Sequence, residues 1–123
     1  MKEPKRDSRL DAMMNTINLE WVVDDLFATI HPNTFEEIQK SKSPEDMLGY
    51  HFTLGMSVRN LYGLWDSEHA LTKWFVQEGV YHADDMSAII LEALWHRIKE
   101  LPYNHTQIIQ MCQKQWTTIE EFK

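Results

Sequence analysis

The sequence has little cysteine, proline or glycine. Its 123 residues include one cysteine, Cys112, and four residues each of Pro and Gly. A single cysteine cannot form an internal disulfide, and a reducing cytosol is the simplest compartment for such a chain. The scarcity of Pro and Gly argues against a loop-rich or all-β fold. The chain also lacks an apolar run of membrane-spanning length and an apolar leader at its polar N-terminus, so we expect one cytoplasmic domain.

Basic residues are also scarce. Twelve Lys and Arg stand against 19 Asp and Glu, which gives a net charge of −7. Residues 1–11 carry a net +1 and the rest of the chain −8. Because such a surface repels phosphates, we expect no direct contact with nucleic acid, and a basic protein remains a possible partner. The strongest local bias predicts an acidic partner face, formed by Glu20, Asp24, Asp25, Glu36 and Glu37.

Apolar residues recur at helical spacing along most of the chain. This periodicity predicts an all-α fold, a compact single-domain bundle of about five to six helices over residues 17–121. Residues 1–16 contain Pro4 and show no clean period, so we expect a mobile arm there that becomes helical near residues 10–14. Asn18 suits the N-cap of the first helix, which we expect Pro32 to end. A short helix should follow, capped by Asn33 or Thr34.

The remaining helices have clear start or stop signals. Ser43 and Pro44 predict the start of a continuous helix over 44–60. Along it, His51 falls within the apolar stripe that contains Met47 and Val58, and a second row places Leu48 and Phe52 beside that stripe. A further helix should begin at Asp66 or Ser67 and end at Gly79, a long central helix whose stripe reaches Leu101 should cover 84–100, and the last should cover about 105–120.

The stretch HFTLGMSVRNLYGLW, residues 51–65, places strongly polar residues within a run that otherwise resembles buried helix. In a structural interpretation, Arg59 pairs with Asp84 or Asp85, the His51 ring donates to a backbone carbonyl, and Trp65 fills the gap between the two helices. In a functional interpretation, a cleft around Arg59 binds a small anion such as a nucleotide, or a partner. The candidate ligand- or partner-binding residues are His51, Arg59, Asn60, Trp65, His82, Asp84 and Asp85.

Signals for catalysis and for metal are weak. No nucleophile elbow, glycine-rich phosphate loop or zinc spacing occurs, and Cys112 falls on an apolar helical face typical of an inert thiol. We therefore predict no metal, no cofactor and no catalytic residue. A small hydrolase or transferase that uses His51 or His82 with Asp85 stays an alternative. The other histidines are predicted to be surface or cap residues without companions, namely His31, His69, His96 and His105.

The same stretch carries a resemblance. With the later HADDMSAIIL, it resembles a small bacterial family of domains of unknown function, whose pattern runs H-x-G-L-G-M-x-x-R-N-x-x-G-L-W and then H-P-D-D-M-S-x-I-I-L. The resemblance covers roughly residues 18–116 and departs from the pattern at Thr53, Ser57 and Ala83. It implies an all-α fold and no assigned activity. Families of this kind often lie among toxin, immunity and phage-conflict genes, which is an association only.

These observations lead to one functional expectation and two alternatives. We expect a small acidic helical protein-interaction module, an immunity or anti-defence inhibitor that binds a partner protein. The alternatives are a binder of a small anionic ligand around Arg59 and the small hydrolase or transferase described above.

Overall fold

The computed structural model describes residues 17–121, and the side chains of residues 17–114. Within that range it contains six α-helices, one 3-10 helix and no strand, so the predicted all-α class is confirmed. The predicted arm, residues 1–16, lies outside the described residues. The elements are α1 (Leu19–Thr29), α2 (Pro32–Lys40), a 3-10 helix (Pro44–Tyr50), α3 (Leu54–Leu61), α4 (Ala70–Gln77), α5 (Ala83–Ile98) and α6 (His105–Glu121).

The long helix α5 forms the centre of the domain, as predicted from its wide apolar stripe. It packs against α1, α2, the 3-10 helix, α3 and α6. Because neighbours surround it, nearly every side of the helix is buried, including Ile89, Ile90 and Leu94 at 0% exposure. Burying each such side chain contributes about 1.5–3 kcal/mol, so this helix accounts for much of the hydrophobic stabilisation. The predicted stripe ends early, however, because Leu101 follows the helix and is 45% exposed.

The ends of several helices follow local chemistry. Asn18 caps α1 as predicted, since its Oδ1 accepts the Trp21 N–H at 2.9 Å. The predicted cap of α2 was wrong: Pro32 is itself the first helical residue, and the His31 ring Nδ1 accepts the Asn33 N–H at 3.0 Å. Proline favours this first position because its fixed φ suits a helix and its missing N–H is not needed there.

The predicted start of α4 was also wrong. The helix begins at Ala70 with His69 at the N-cap position, and the Asp66 side chain accepts the Glu68 N–H at 2.9 Å within the preceding turn. The connection between α3 and α4 also contains Gly63, whose φ of 67° lies in the left-handed region. Gly79 closes α4 as predicted, with a φ of 89°.

The predicted continuous helix over 44–60 is broken in two. Ser43 and Pro44 do begin a helix, but it is a 3-10 helix that ends at Tyr50, and α3 starts only at Leu54. Gly49 and Gly55 give this stretch a weak intrinsic preference for a continuous α-helix. At Gly55 the chain is also crowded, because an added Cβ would lie 3.3 Å from the Tyr50 carbonyl oxygen. The break changes which side chains of this segment face the core.

Candidate functional site

Arg59 lies inside the domain, where it joins three parts of the chain. Its side chain is almost fully buried, and its Nη1 donates a hydrogen bond to Ser87 Oγ of α5 at 2.8 Å. Its Nη2 donates to the backbone carbonyl of His51 at 3.2 Å, in the turn between the 3-10 helix and α3. We call this group, with Asp84, the Arg59 lock. It fixes α3 and the preceding turn against the central helix.

Asp84 balances the charge of Arg59 from the surface. Its Oδ1 lies 3.5 Å from Arg59 Nε, and its side chain is 62% exposed. The predicted pairing of Arg59 with Asp84 or Asp85 is therefore confirmed as an ion pair, but Nε makes no hydrogen bond within the described residues. Because water screens one partner, we expect the hydrogen bonds to Ser87 and His51 to stabilise the lock more than the ion pair does.

Asn60 and Trp65 pair with each other on the surface outside the lock. The Trp65 indole N–H donates to Asn60 Oδ1 at 3.0 Å, and both side chains are exposed. Trp65 is 63% exposed, so the prediction that it fills the space between the helices was wrong. Its ring still lies near the lock, with its centroid 5.9 Å from the guanidinium carbon of Arg59.

The histidines of the predicted set do not converge on Arg59 through their rings. The His51 ring is half-buried and packs edge-on against the Phe52 ring, with centroids 4.8 Å apart. Its backbone carbonyl, rather than its ring, makes the hydrogen bond within the domain. His82 is exposed at the N-cap position of α5, and Asp85 is half-buried in the first turn of that helix. The binding roles assigned to these residues stay predictions.

The five residues of the acidic partner face all have partners within the domain. The pairs are Glu20 with His105 at 3.3 Å, Asp24 with Arg97 at 3.4 Å, Asp25 with the Tyr62 hydroxyl, Glu36 with Lys40 at 3.5 Å, and Glu37 with the Tyr50 hydroxyl at 2.8 Å. Burial, followed by the contact with Glu37, raises the pKa of Tyr50 to about 12. Four of these acids therefore connect different parts of the chain, whereas the Glu36–Lys40 pair lies within α2.

His105 is one of these partners, so the prediction that it has no companions was wrong. Its Nδ1 faces Glu20, its Nε2 lies 3.9 Å from Glu78 Oε1, and its ring packs edge-on against Trp74. These contacts attach the start of α6 to α1 and to the end of α4. Sequence spacing could not reveal them, because the residues are far apart along the chain.

Cys112 is buried, as its position on an apolar helical face predicted. Burial, helped by the nearby Glu92 carboxylate, raises the pKa of the thiol to about 12. At neutral pH the thiol is therefore protonated and is a poor nucleophile.

Within residues 17–114, no three His, Cys, Asp or Glu side chains are grouped closely enough to hold a metal ion. None of the helices in residues 17–121 is both long and apolar enough to cross a membrane.

A surface that the sequence did not predict lies beside the 3-10 helix. Leu48 is 74% exposed, Phe52 78% and Met111 56%. Leu48 lines a depression of about 80 Å³ together with His51, and a second one of about 110 Å³ together with Met111. The Phe52 ring contacts the His51 ring, which lines the first depression, and we call these three exposed side chains the apolar patch (Leu48, Phe52 and Met111). Leu48 and Phe52, which the sequence placed in a row beside the apolar stripe, are therefore exposed in the structure.

Two carboxylates border the apolar patch. Glu45 and Glu92 line the depression that contains Leu48 and Met111. Burial raises the pKa of the Glu92 carboxyl group. His96 lowers this pKa, and the nearby charge of Glu45 raises it. The patch therefore combines apolar side chains with negative charge at its edge.

These features define the class of the protein: an all-α domain around one central helix, locked by a buried arginine. The chain belongs to the family Domain of unknown function (DUF6794), whose model matches residues 7–98. The predicted membership of an uncharacterised domain family is confirmed to this extent, whereas the signature pattern and the bacterial origin stay predictions. The match starts before the predicted residue 18 and ends at the last residue of α5. The chain matches no curated protein and no solved structure.

Proposed function

We propose that this chain is a small acidic protein-interaction module that binds a partner protein through the apolar patch. The supporting observation is that Leu48, Phe52 and Met111 are each more than half exposed, that Leu48 and Met111 line one depression, and that Phe52 contacts the His51 ring beside Leu48. Leaving such side chains in water forgoes the stabilisation that burial would give. Contiguous apolar surface on a small domain is typical of a site that a partner covers.

The charge around the patch indicates the chemistry of the partner. Glu45 and Glu92 border the patch, and the whole chain carries a net charge of −7. A partner that presents apolar side chains beside Lys or Arg would match both features. The acidic partner face would add long-range attraction, which mainly accelerates association.

The biological role in the proposal is inhibition of the partner, as in immunity or anti-defence systems. Its support is the association of similar families with toxin and phage-conflict genes. The test is to measure the activity of the partner, once it is purified, with and without an excess of this chain. Unchanged activity in a saturated complex would exclude inhibition but leave the binding function intact.

The decisive experiment compares a patch variant with a matched surface variant. The patch variant combines Leu48→Ser with Phe52→Ser, and the control combines Val76→Ser with Tyr81→Ser, at positions that are 42% and 68% exposed. Proteins captured from the native host by the wild type and by the control, but not by the patch variant, are candidate partners. Calorimetry with the purified partner should then show binding at least about tenfold weaker for the patch variant alone. Equal affinity for the two variants would contradict the proposal.

The geometry of Arg59 favours this function over a small-anion pocket. Its Nη1 and Nη2 make hydrogen bonds inside the domain, and Asp84 already supplies a negative charge. A ligand would have to displace that carboxylate to reach the guanidinium. The anion-binding alternative and the hydrolase alternative stay predictions, which thermal-shift screening with nucleotides and metabolites can test.

A further inference from the structure

A cavity of about 370 Å³ lies where α1, the end of α3 and the start of α4 meet. Ile17, Leu61 and Leu71 supply apolar wall, and Trp21 and Tyr62 contribute aromatic rings. The two rings meet edge-on, with centroids 6.2 Å apart and planes at 84°. A cavity of this size falls within the usual range of small-ligand sites. It lies apart from the residues that form the Arg59 lock and the apolar patch.

One carboxylate, that of Asp25, lies in this largely apolar wall. The Tyr62 hydroxyl donates a short hydrogen bond to Asp25 Oδ2, which fixes the orientation of the carboxylate. Burial, followed by this contact with Asp25, raises the pKa of Tyr62, so the phenol stays a donor at neutral pH. An ionised carboxylate has about four acceptor positions, and the tyrosine occupies one of them. Asp25 therefore retains acceptor capacity for a donor that enters the cavity.

We propose that this cavity binds an organic cation that carries an apolar stem, such as an alkylguanidinium or an alkylammonium. The carboxylate of Asp25 would accept hydrogen bonds from the charged group, and charge-assisted bonds of this kind are stronger than neutral ones. The rings of Trp21 and Tyr62, which meet edge-on, would add aromatic surface beside the stem. The stem would contact Leu61 and Leu71. The inference does not depend on the apolar patch.

The shared chemistry has two possible sources, a free small amine or guanidine and the Lys or Arg side chain of another protein. Both combine an aliphatic stem with a terminal cation. They differ in the peptide backbone that follows the stem, so a free alkylguanidinium and a short arginine peptide distinguish them. Binding of both probes indicates that the cavity accepts a protein side chain. Binding of the free cation alone restricts the site to small molecules.

The first test is a titration of the full-length wild-type chain, followed by amide chemical shifts in NMR. The probes are n-butylguanidinium, the neutral n-butanol with the same stem, guanidinium without a stem, and the anion pentanoate. The solution is kept near pH 8, above the usual titration range of histidine, because His69 also lines the cavity. We expect n-butylguanidinium to shift residues around Trp21, Leu61 and Leu71 and to bind at least about fivefold more tightly than the other three probes. Equal affinity for n-butanol, or shifts elsewhere, would overturn the proposal.

The second test changes the charge of Asp25 while keeping its shape. Asp25→Asn retains a carbonyl oxygen that can accept the Tyr62 hydrogen bond, but it removes the negative charge. The matched control is Glu68→Gln, which makes the same change at an exposed residue that pairs with Lys73. We expect Asp25→Asn to weaken n-butylguanidinium binding by about tenfold or more and the control to leave it within about twofold. Unchanged binding in Asp25→Asn would refute the assignment, and if that variant does not fold, the wild-type probe comparison decides.

Discussion

Arg59 and Phe52 belong to one short segment, yet the charged residue is buried and the apolar residue is exposed. The arginine is 2% exposed and the phenylalanine 78% exposed. Around Arg59, hydrogen bonds to Ser87 and to the His51 carbonyl compensate for the loss of water. Around Phe52 and Leu48, no comparable gain explains the exposure of apolar surface. The comparison shows that polarity alone does not indicate which residues of this segment stabilise the fold.

The two regions should respond differently to mutation. Removing a buried polar group leaves its former partners without hydrogen bonds, which costs free energy of folding. Removing an exposed apolar side chain changes little in the isolated domain, and its effect appears only when a partner binds. Stability and binding measurements on the same variants can therefore separate the Arg59 lock from the apolar patch.

The largest effect is expected for Arg59→Ala. The variant leaves Ser87 and the His51 carbonyl without their donor and opens space beside α5, so we expect the free energy of unfolding to fall by about 3 kcal/mol. Urea denaturation followed by circular dichroism measures the change. Asp84→Asn is the control, with an expected loss of at most about 1 kcal/mol because that carboxylate is largely exposed. Equal losses in the two variants would show that the ion pair, and not the hydrogen bonds, dominates the lock.

The patch variant, Leu48→Ser with Phe52→Ser, should show the opposite behaviour. Its unfolding free energy should stay within about 0.5 kcal/mol of wild type for each substitution, while partner binding weakens by at least about tenfold. Leu94→Ala, at a fully buried position of α5, is the stability reference and should cost about 2–5 kcal/mol. A patch variant that unfolds as readily as Leu94→Ala would mean that the patch is part of the core.

A smaller effect is expected on the rate of partner association when the acidic face is reversed in charge. Asp24→Lys with Glu36→Lys avoids Asp25, which holds the Tyr62 hydroxyl. Because rim charges act mainly on association, we expect the on-rate at low salt to fall severalfold and to depend less on ionic strength. Stopped-flow or surface-based kinetics measures this rate. Glu68→Lys, outside the acidic face, is the control. An equal change in the association rate of this control would show that net charge, and not the acidic face, determines the rate.

The smallest effect concerns Glu92 at the edge of the patch. Burial raises its pKa above the ordinary value of 4.5, so the folded state binds more protons than the unfolded state between these two pKa values. Stability from this group is therefore present at low pH and is lost as pH rises through the folded pKa. Glu92→Gln removes this dependence, so its stability relative to wild type should increase as the pH rises above about 4.5.

Urea denaturation of Glu92→Gln and wild type across that pH range measures the difference in unfolding free energy. A difference that is constant with pH, or that falls, would show that the carboxylate is better solvated than its position indicates. A partner cation near Glu92 should reverse the trend, since it would favour the charged form. The same titration in the complex therefore reports whether the partner carries the expected basic residue beside the patch.

The parts of the fold that the sequence predicted are those in which a long apolar stripe determines the outcome. Local sequence patterns predicted three of these features: the N-cap at Asn18, the central position of α5 and the start of α6 near His105. The break between Tyr50 and Leu54 could not, because it depends on crowding at Gly55 and on the carbonyl that Arg59 binds. A continuous helix places Leu48 and Phe52 beside the apolar stripe, whereas the structure exposes both side chains.

The candidate site was predicted unevenly for a related reason. The pairing of Arg59 with the start of α5 followed from charge and from the adjacency of two predicted helices. The contribution of Ser87, whose hydroxyl also donates to the Asp84 carbonyl at 3.0 Å, was missed because a serine within a helix carries no distinctive signal. The cavity beside Asp25 joins three helices, and only their packing brings its walls together.

Gly63 has a consequence for comparing chains of this family. An added Cβ at this position would lie 2.4 Å from a ring carbon of His69, and the backbone there is already left-handed. Any other amino acid would both strain the main chain and expel the imidazole. In related chains with the same turn, residue 63 should therefore be nearly invariant, whereas residues 48 and 52, on the proposed partner surface, should vary more.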